Sequence, residues 1–427
     1  MTTTPRSAVR RLLGGLTATL AAATLVGAAP ATAAPAPAAP AGTRFYVPEP
    51  NPDAVEQVAD LRADGRRTEA NLIQKVLDTP TAVWVEDGTP REVQRSVQRT
   101  MRDAAAQRAV PVLVLYNIPF RDCAQYSAGG ATSVEEYEAW VDAVARGIGG
   151  REAVVAVEPD GLGIIPWYTT LDGQQDWCQP AEADAQTAAA ERFRMLNHAV
   201  DQLTALPRTK VYLDGTHDGW LGVGEITDRL VKAGVERADG FFVNASNYRW
   251  TDRLVRYGRW ISQCAYLVER RDVDPRTCAS QYYPADPSDV STWDRTDAAY
   301  EAAYEAAGLS MRPRQMAHFI VDTSRNGQGP WTPPAGAFPD PQDWCNPPGR
   351  GVGLRPTTRT GDPLVDAYVW IKVPGESDGQ CSRGTGTGND VVDPVWRQVD
   401  PAAGQWFRRQ AVELVRLAVP SLRGDQG

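Results

Sequence analysis

Short apolar runs recur along the chain at residues 45–47, 82–85, 111–116, 153–157, 210–213, 240–243, 318–321 and 367–371. Each has strand length and is rich in Val, Ile, Leu, Phe or Tyr. Between most of them lie stretches rich in Ala, Glu, Arg and Leu that read as helices, for example 133–147, 183–206, 225–233 and 405–419. Short apolar strands alternating with helices predict parallel β/α units, and eight such runs predict a closed or nearly closed α/β barrel. The other architecture with this alternation is an open doubly wound sheet, but no Gly-rich phosphate loop follows the first run. Two connections are unusually long. Residues 161–180 carry Trp167, Tyr168, Trp177 and Cys178, and residues 251–313 carry Cys264, Cys278, Tyr282, Tyr283 and Trp293. Long connections in compact domains serve as lids or binding walls, so both are expected to be functional loops.

The first residues fall outside this pattern. Arg6, Arg10 and Arg11 precede an apolar run from Leu12 to Val26, and Ala31-Thr32-Ala33 offers a small-x-small cleavage site. Residues 1–34 are expected to be a secretory signal peptide, with Arg10-Arg11 leaving a twin-arginine route open. A disordered Pro/Ala lead is expected at 35–42, and a single catalytic domain at 43–427. The net charge of −9 becomes −12 once the three leader arginines are removed (−9 − 3). An acidic chain without Lys/Arg runs is a poor partner for nucleic acid or an anionic membrane surface, so a neutral substrate fits better. The expected protein is secreted to the extracellular space and monomeric. Its six cysteines, Cys123, Cys178, Cys264, Cys278, Cys345 and Cys381, suit disulfides in that compartment, though spacing alone leaves many pairings open. There is no CxxC, and His198, His217 and His318 lie far apart, so a metal is not expected.

Four of the strand-like runs end in aspartates: Asp122 after Val114–Tyr116, Asp160 after Val155–Val157, Asp214 at the end of Val211–Leu213, and Asp378 after Tyr368–Lys372. Carboxylates at strand ends with tryptophans nearby are the equipment for cutting a glycosidic bond. Thirteen tryptophans exceed what a barrel core requires, which points to a sugar cleft.

These runs carry a family resemblance. Val114-x-Tyr116-x-x-Pro119-x-Arg121-Asp122-Cys123, continuing through Ser127-Ala128-Gly129-Gly130, resembles the first signature of glycoside hydrolase family 6, a family of endoglucanases and cellobiohydrolases. Val157-Glu158-Pro159-Asp160 resembles the second. Asp322-Thr323-Ser324-Arg325-Asn326-Gly327, Trp344-Cys345-Asn346-Pro347 and Trp370-Ile371-Lys372-Val373-Pro374-Gly375-Glu376-Ser377-Asp378-Gly379 resemble further blocks, in the family's order, from about Phe45 to Pro420. The resemblance implies a distorted parallel β/α barrel, TIM-like, with long active-site loops. It also implies inverting hydrolysis of β-1,4-glucosidic bonds without a cofactor.

The same resemblance assigns roles. Asp160 takes the place of the general acid, Asp122 that of the carboxylate that raises its pKa or relays a proton, and Asp378 that of the candidate base. Tyr116 matches a tyrosine that crowds the sugar at the cleavage point. Asp214 and His217 match positions near the leaving-group side. Trp84, Trp220 and Trp344 match tryptophans that stack on glucose rings. Lys372, Glu376 and Asn247 join the substrate-binding polar groups. The implied disulfides are Cys123–Cys178 and Cys345–Cys381, which leave Cys264–Cys278 by elimination. There are departures. Ala128 stands where many relatives have serine, Val223 stands where cellobiohydrolases carry a second tryptophan after Trp220, and the 161–180 loop is longer than in compact endoglucanases. The segment 329–344 and the loop after Asp378 are shorter than in exo-acting bacterial relatives, which favours endo action. The 251–313 stretch is long, as in exo forms, and keeps a cellobiohydrolase as the alternative. From another class, a non-catalytic glucan-binding protein on this scaffold is the competing reading, and survival of all the carboxylates argues against it. A serine hydrolase lacks its GxSxG elbow.

Overall fold

Alternate residues of the apolar runs face opposite ways, and the structure sorts them into two layers. It is a computed structural model that describes residues 42–387 and 390–424. Leader residues 1–34, and the Pro/Ala lead up to residue 41, lie outside the described residues. Seven strands form one parallel sheet in chain order: β1 (Val83–Val85), β2 (Val112–Leu115), β3 (Ala153–Val157), β4 (Thr209–Asp214), β5 (Gly240–Val243), β6 (His318–Asp322) and β7 (Val365–Val369). Val112, Val114, Val154, Ala156, Tyr212, Phe242, Ile320, Ala367 and Val369 pack together inside the curl. Leu113, Leu115, Val155, Val157, Val211, Leu213, Phe241, Val243, Phe319 and Val321 face outward, into the helices. This is period-2 geometry on a sheet buried on both faces. The curl brings the last strand back to the first. The Ala82 N–H donates to the Trp370 carbonyl (2.8 Å), and the Trp84 indole N–H to the Ile371 carbonyl (2.9 Å). The sheet is a distorted barrel whose seam is held by these two bonds.

Two expectations are corrected here. The eighth strand, at 45–47, does not form: Phe45 makes a single parallel bridge to Val110. The stretch lies between proline-rich segments and finds no second ladder partner. Its Phe45 ring still enters the interior layer. The 251–313 stretch is not mainly loop. It holds two helices, 251–271 and 294–306, joined by the segment 272–293. Leu254, Tyr257, Trp260, Ile261 and Cys264 recur at three- and four-residue spacing and are all buried against the sheet. Of the aromatics that suggested a binding wall, Trp293 is core, whereas Tyr282 and Tyr283 are exposed.

Nine helices are present among the described residues: α1 (Pro52–Ala63), α2 (Arg67–Leu77), α3 (Pro90–Ala106), α4 (Val134–Ile148), α5 (Ala188–Thr204), α6 (Val223–Lys232), α7 (Thr251–Arg271), α8 (Asp294–Ala306) and α9 (Arg408–Arg416). α3 shows why they start where they do. Thr89 caps it, Glu92 returns the bond to the Thr89 N–H, and Pro90 presets its first turn. Most of the helices cover the sheet's outer face. α1, α2 and α9 form a separate cluster around Trp370 and Trp406, so both ends of the described chain meet beside the seam. No helix among the described residues is long and apolar enough to cross a membrane.

Candidate active site

Side-chain parity sends Tyr116 and Asp214 to the barrel interior at the carboxyl ends of β2 and β4. Tyr116 is buried, and Trp84 meets its ring edge-on at 5.3 Å. Just beyond the strand ends the backbone turns left-handed at Asp122 (φ 56°), Glu158 (53°), Asp160 (64°), Thr216 (55°) and Ser246 (56°). Such φ values are costly for residues with a Cβ and cluster where the surroundings over-determine the backbone. Here they turn the acidic side chains over the mouth of the barrel.

The Asp122 carboxylate accepts the Ser127 N–H (2.8 Å). Burial pushes its pKa up to about 6, against the pull of that N–H and of Arg121. Arg121 sends its own N–H groups to the carbonyls of Ser127 (2.8 Å) and Glu86 (3.2 Å) and stacks over the Tyr116 ring. Asp160 is pushed well above the usual carboxylate range, first by burial and then by the charges of Asp214 and Asp122. Asp214 is 3% exposed and lies beneath the cleft wall rather than on it. Its Oδ1 accepts the Thr216 N–H (2.9 Å). Burial raises its pKa to about 6, with the nearby N–H groups opposing. Three carboxylates thus share one region with little charge to balance them, and Asp160 is the one driven furthest toward the neutral acid.

The loop after Asp160 is pinned. Arg192, buried on α5, donates to the carbonyls of Gly161, Ile164 and Pro119, each at 2.8 Å. Arg229, buried on α6, takes those of Leu162 (2.9 Å) and Gly163 (3.1 Å). Glu158 accepts the N–H groups of Asn117 (2.9 Å) and Ile118 (3.0 Å), tying the β2 and β3 ends together. Asp322 does the same across β5, β6 and β7, accepting from Ser246, Ser324, Ile371 and Lys372 at 2.9–3.2 Å.

Asp378 lies in a different electrostatic setting. Its oxygens accept Arg325 through two N–H groups (2.8 and 3.0 Å), the Tyr248 hydroxyl (3.0 Å) and the Asn346 N–H (2.9 Å). The Lys372 ammonium is 3.9 Å away. Burial alone would raise its pKa, but Arg325 and Lys372 outweigh it and hold Asp378 below the usual range. Asp160 is therefore biased toward its protonated form and Asp378 toward its charged form. Two carboxyls with pKa values pushed apart are the arrangement of an acid and a partner anion.

A cleft of ≈1270 Å³ joins these groups. Every residue singled out from the sequence lines it except Asp214: Trp84, Tyr116, Asp122, Asp160, His217, Trp220, Asn247, Trp344, Lys372, Glu376 and Asp378. The His217 imidazole is pushed down to about 3 by burial and the Arg249 charge, so it is neutral, and its Nδ1 accepts the Gly219 N–H (3.2 Å). The Trp220 ring sits on Gly163, where a Cβ would fall 2.3 Å from the indole, so only glycine fits. Lys372 donates to the Ser377 carbonyl (2.9 Å), and Asn51 reaches Glu376 (3.4 Å). Cys123–Cys178 ties the Asp122 loop to the 161–180 loop, Cys345–Cys381 ties the Trp344 segment to the Asp378 segment, and Cys264–Cys278 closes the third bridge. The one cluster of potential metal ligands among the described residues is Cys381, Asp393 and Asp400. It is ill suited, because Cys381 is in a disulfide and Asp393 pairs with buried Arg383 (3.1 Å).

Sequence reasoning left several residues without a role. Asp322 follows the inward parity of Ile320 and opens a quoted motif, and Glu158 stands two residues before Asp160, so both were within reach. Arg192 and Tyr248 carried no local signal, because their partners are backbone carbonyls or side chains far along the chain; Arg229 pairs locally with Glu225 (2.8 Å), but its grip on the carbonyls of Leu162 and Gly163 is long-range.

A family model described as "Glycosyl hydrolases family 6" matches residues 40–418. Endoglucanase A of Thermobispora bispora is 32% identical over 337 residues, covering 78% of this chain. The match spans 58% of that relative's length, less than two thirds of it. Probable 1,4-beta-D-glucan cellobiohydrolase C of Aspergillus niger is 30% identical over 409 residues, 89% of this chain and 78% of that protein. Among solved structures, the endoglucanase Cel6 of Mycobacterium tuberculosis, in complex with methyl-cellobiosyl-4-deoxy-4-thio-β-D-cellobioside, superposes with a TM-score of 0.61 at 32% identity. That likeness covers 88% of this chain and 97% of that one.

Proposed function

This chain belongs to glycosyl hydrolase family 6, and from that membership we propose that it hydrolyses β-1,4-glucosidic bonds of cellulose and related β-glucans with inversion. The observation that carries the reading is the pair of opposed carboxyl settings in one tryptophan-lined cleft: Asp160 raised by burial and by Asp214 and Asp122, Asp378 lowered by Arg325 and Lys372. Asp160 gives its proton to the leaving oxygen, since a general acid must hold a proton near working pH. Asp122 keeps that proton in place and relays its replacement. Asp378 supplies the negative charge on the water side and takes the water's proton through an intervening water, because Arg325, Tyr248 and Asn346 already fill most of its acceptor positions. Tyr116 crowds the sugar at the cleavage point, and Trp84, Trp220 and Trp344 stack on neighbouring rings. Lys372, Glu376, Asn247 and His217 hold sugar hydroxyls. No cofactor enters this scheme.

Endo action is the finer proposal. It is supported by the helical character of most of 251–313, with no residue of the joining segment 272–293 among those lining the cleft, and by buried Val223 where exo-type relatives place tryptophan. Residues 43–427 act as one catalytic domain and as a monomer. Three disulfides favour work outside the cytoplasm.

Proton NMR in the first minutes of cellotetraose hydrolysis tests the reading. The α-anomer is expected first, as a carboxylate that activates water inverts the centre. An initial β-anomer would require a covalent intermediate and defeat the scheme; no reducing sugar at all would leave only glucan binding. The electrostatics give a second expectation. Asp214→Asn removes the charge that helps keep Asp160 protonated, so deprotonation of the acid begins at lower pH. The alkaline limb of kcat/KM should move toward acid, with a several-fold loss near neutrality that is regained at lower pH. An unmoved limb would remove Asp214 from this role.

A further inference from the structure

Next to Trp220, one of the residues lining the cleft, the segment joining α7 to α8 is fastened to the tryptophan's own loop. Buried Gln281 donates to the carbonyls of Asp218 (3.1 Å) and Leu221 (3.0 Å). The Tyr282 hydroxyl donates to the carbonyl of Trp220 (3.0 Å). Behind it, Thr296 on α8 takes the Ser280 carbonyl (2.8 Å), the Ser280 N–H takes the Tyr283 carbonyl (2.7 Å), and Cys278 is bridged to Cys264 on α7. The Tyr282 ring lies along Gly222, 3.7 Å from where a Cβ would stand, and is 42% exposed. With the hydroxyl spent on Trp220, an apolar ring on a rigid mount is what remains for solvent to meet.

Resting on the glucanase reading, we infer that Tyr282 is an outer sugar-binding platform that receives the glucan chain as it leaves Trp220. A fixed aromatic face suits the axial C–H bonds of a pyranose, and a ring held in place by its hydroxyl loses little freedom on binding. The ring is bonded to Trp220 and stands outside the residues that line the cleft, so only chains long enough to pass Trp220 would reach it. The site therefore discriminates by chain length rather than acting on the bond that is cut.

The experiment compares kcat/KM for cellohexaose and cellotetraose in wild type, Tyr282→Ala and Tyr282→Phe, with melting curves to check that each variant folds. The hexaose-to-tetraose ratio is expected to fall roughly fivefold in Tyr282→Ala, the scale of one aromatic contact, and to stay close to wild type in Tyr282→Phe. An unchanged ratio in Tyr282→Ala overturns the inference. So does an equal fall in Tyr282→Phe, which would assign the effect to the hydroxyl's hold on Trp220. A wild-type protein that cleaves neither oligosaccharide would instead defeat the functional reading on which the inference rests.

Discussion

Asp160→Asn is expected to lose at least about a hundredfold in turnover on unactivated β-glucans, the scale of a lost acid–base group. The carboxyl of Asp160 is kept protonated by burial and by two neighbouring carboxylates, and the amide cannot give up a proton in its place. The loss should shrink sharply on a substrate with a good leaving group, such as a cellobiosyl fluoride, whose departure needs little protonation. Folding should survive. The amide is neutral where the native acid was neutral, and the loop is fixed by Arg192 and Arg229 rather than by the carboxyl itself. Parallel kinetics on the two substrates check this, and equal losses on both would take the acid role away from Asp160.

Asp378→Ala is expected to be nearly inactive and also markedly less stable. The carboxylate balances Arg325, which is fully buried, and Lys372, 8% exposed. Removing one member of a buried pair leaves the other charge uncompensated and costs about 3–5 kcal/mol. The native pair also sets an acid dependence. Asp378 titrates below its ordinary 3.8 in the folded protein, so its contribution is present above that pH and is lost as pH falls through the lowered value. The variant should lack this component of acid unfolding. Thermal melts across acid pH would measure both effects. Azide is expected to restore little activity, since the carboxylate acts through water; strong rescue would make Asp378 the direct base, and an unchanged melting temperature would refute the account of the buried charges.

Much of this arrangement was legible in the chain. The seven strands and the inward parity that aims Tyr116 and Asp214 follow from apolar runs and period-2 alternation. Asp122, Asp160 and Asp378 stood out because each follows such a run. The misreadings have local causes. Phe45 has strand chemistry but only a single bridging partner, which no pattern in residues 45–47 reveals. Within 251–313 the helical spacing of Leu254, Tyr257, Trp260, Ile261 and Cys264 was present, but the length of the stretch and Tyr282, Tyr283 and Trp293 further along it suggested a long loop. Asp214 is buried and does not line the cleft; its bearing on the site is through its charge on Asp160. Asn346 looked like part of a motif; only its bonds to Asp378, Ser377 and Asp400 show that it organises the far side of the cleft. Such long-range polar pairings leave no periodic trace.

The seam between β1 and β7 also sets an order of assembly. Every ladder in the sheet joins strands that are consecutive in the chain, so each strand can pair with one that precedes it in synthesis. The join of Ala82 to Trp370, and the packing of α1 and α2 on α9, must wait until nearly the whole chain has been made. Lys372, Glu376 and Asp378 arrive in that same final stretch. Residues up to 364 carry Asp122, Asp160 and Asp214 and six of the seven strands, but none of these three wall residues. A product clipped before residue 365 would lack Lys372, Glu376 and Asp378 and with them one wall of the cleft.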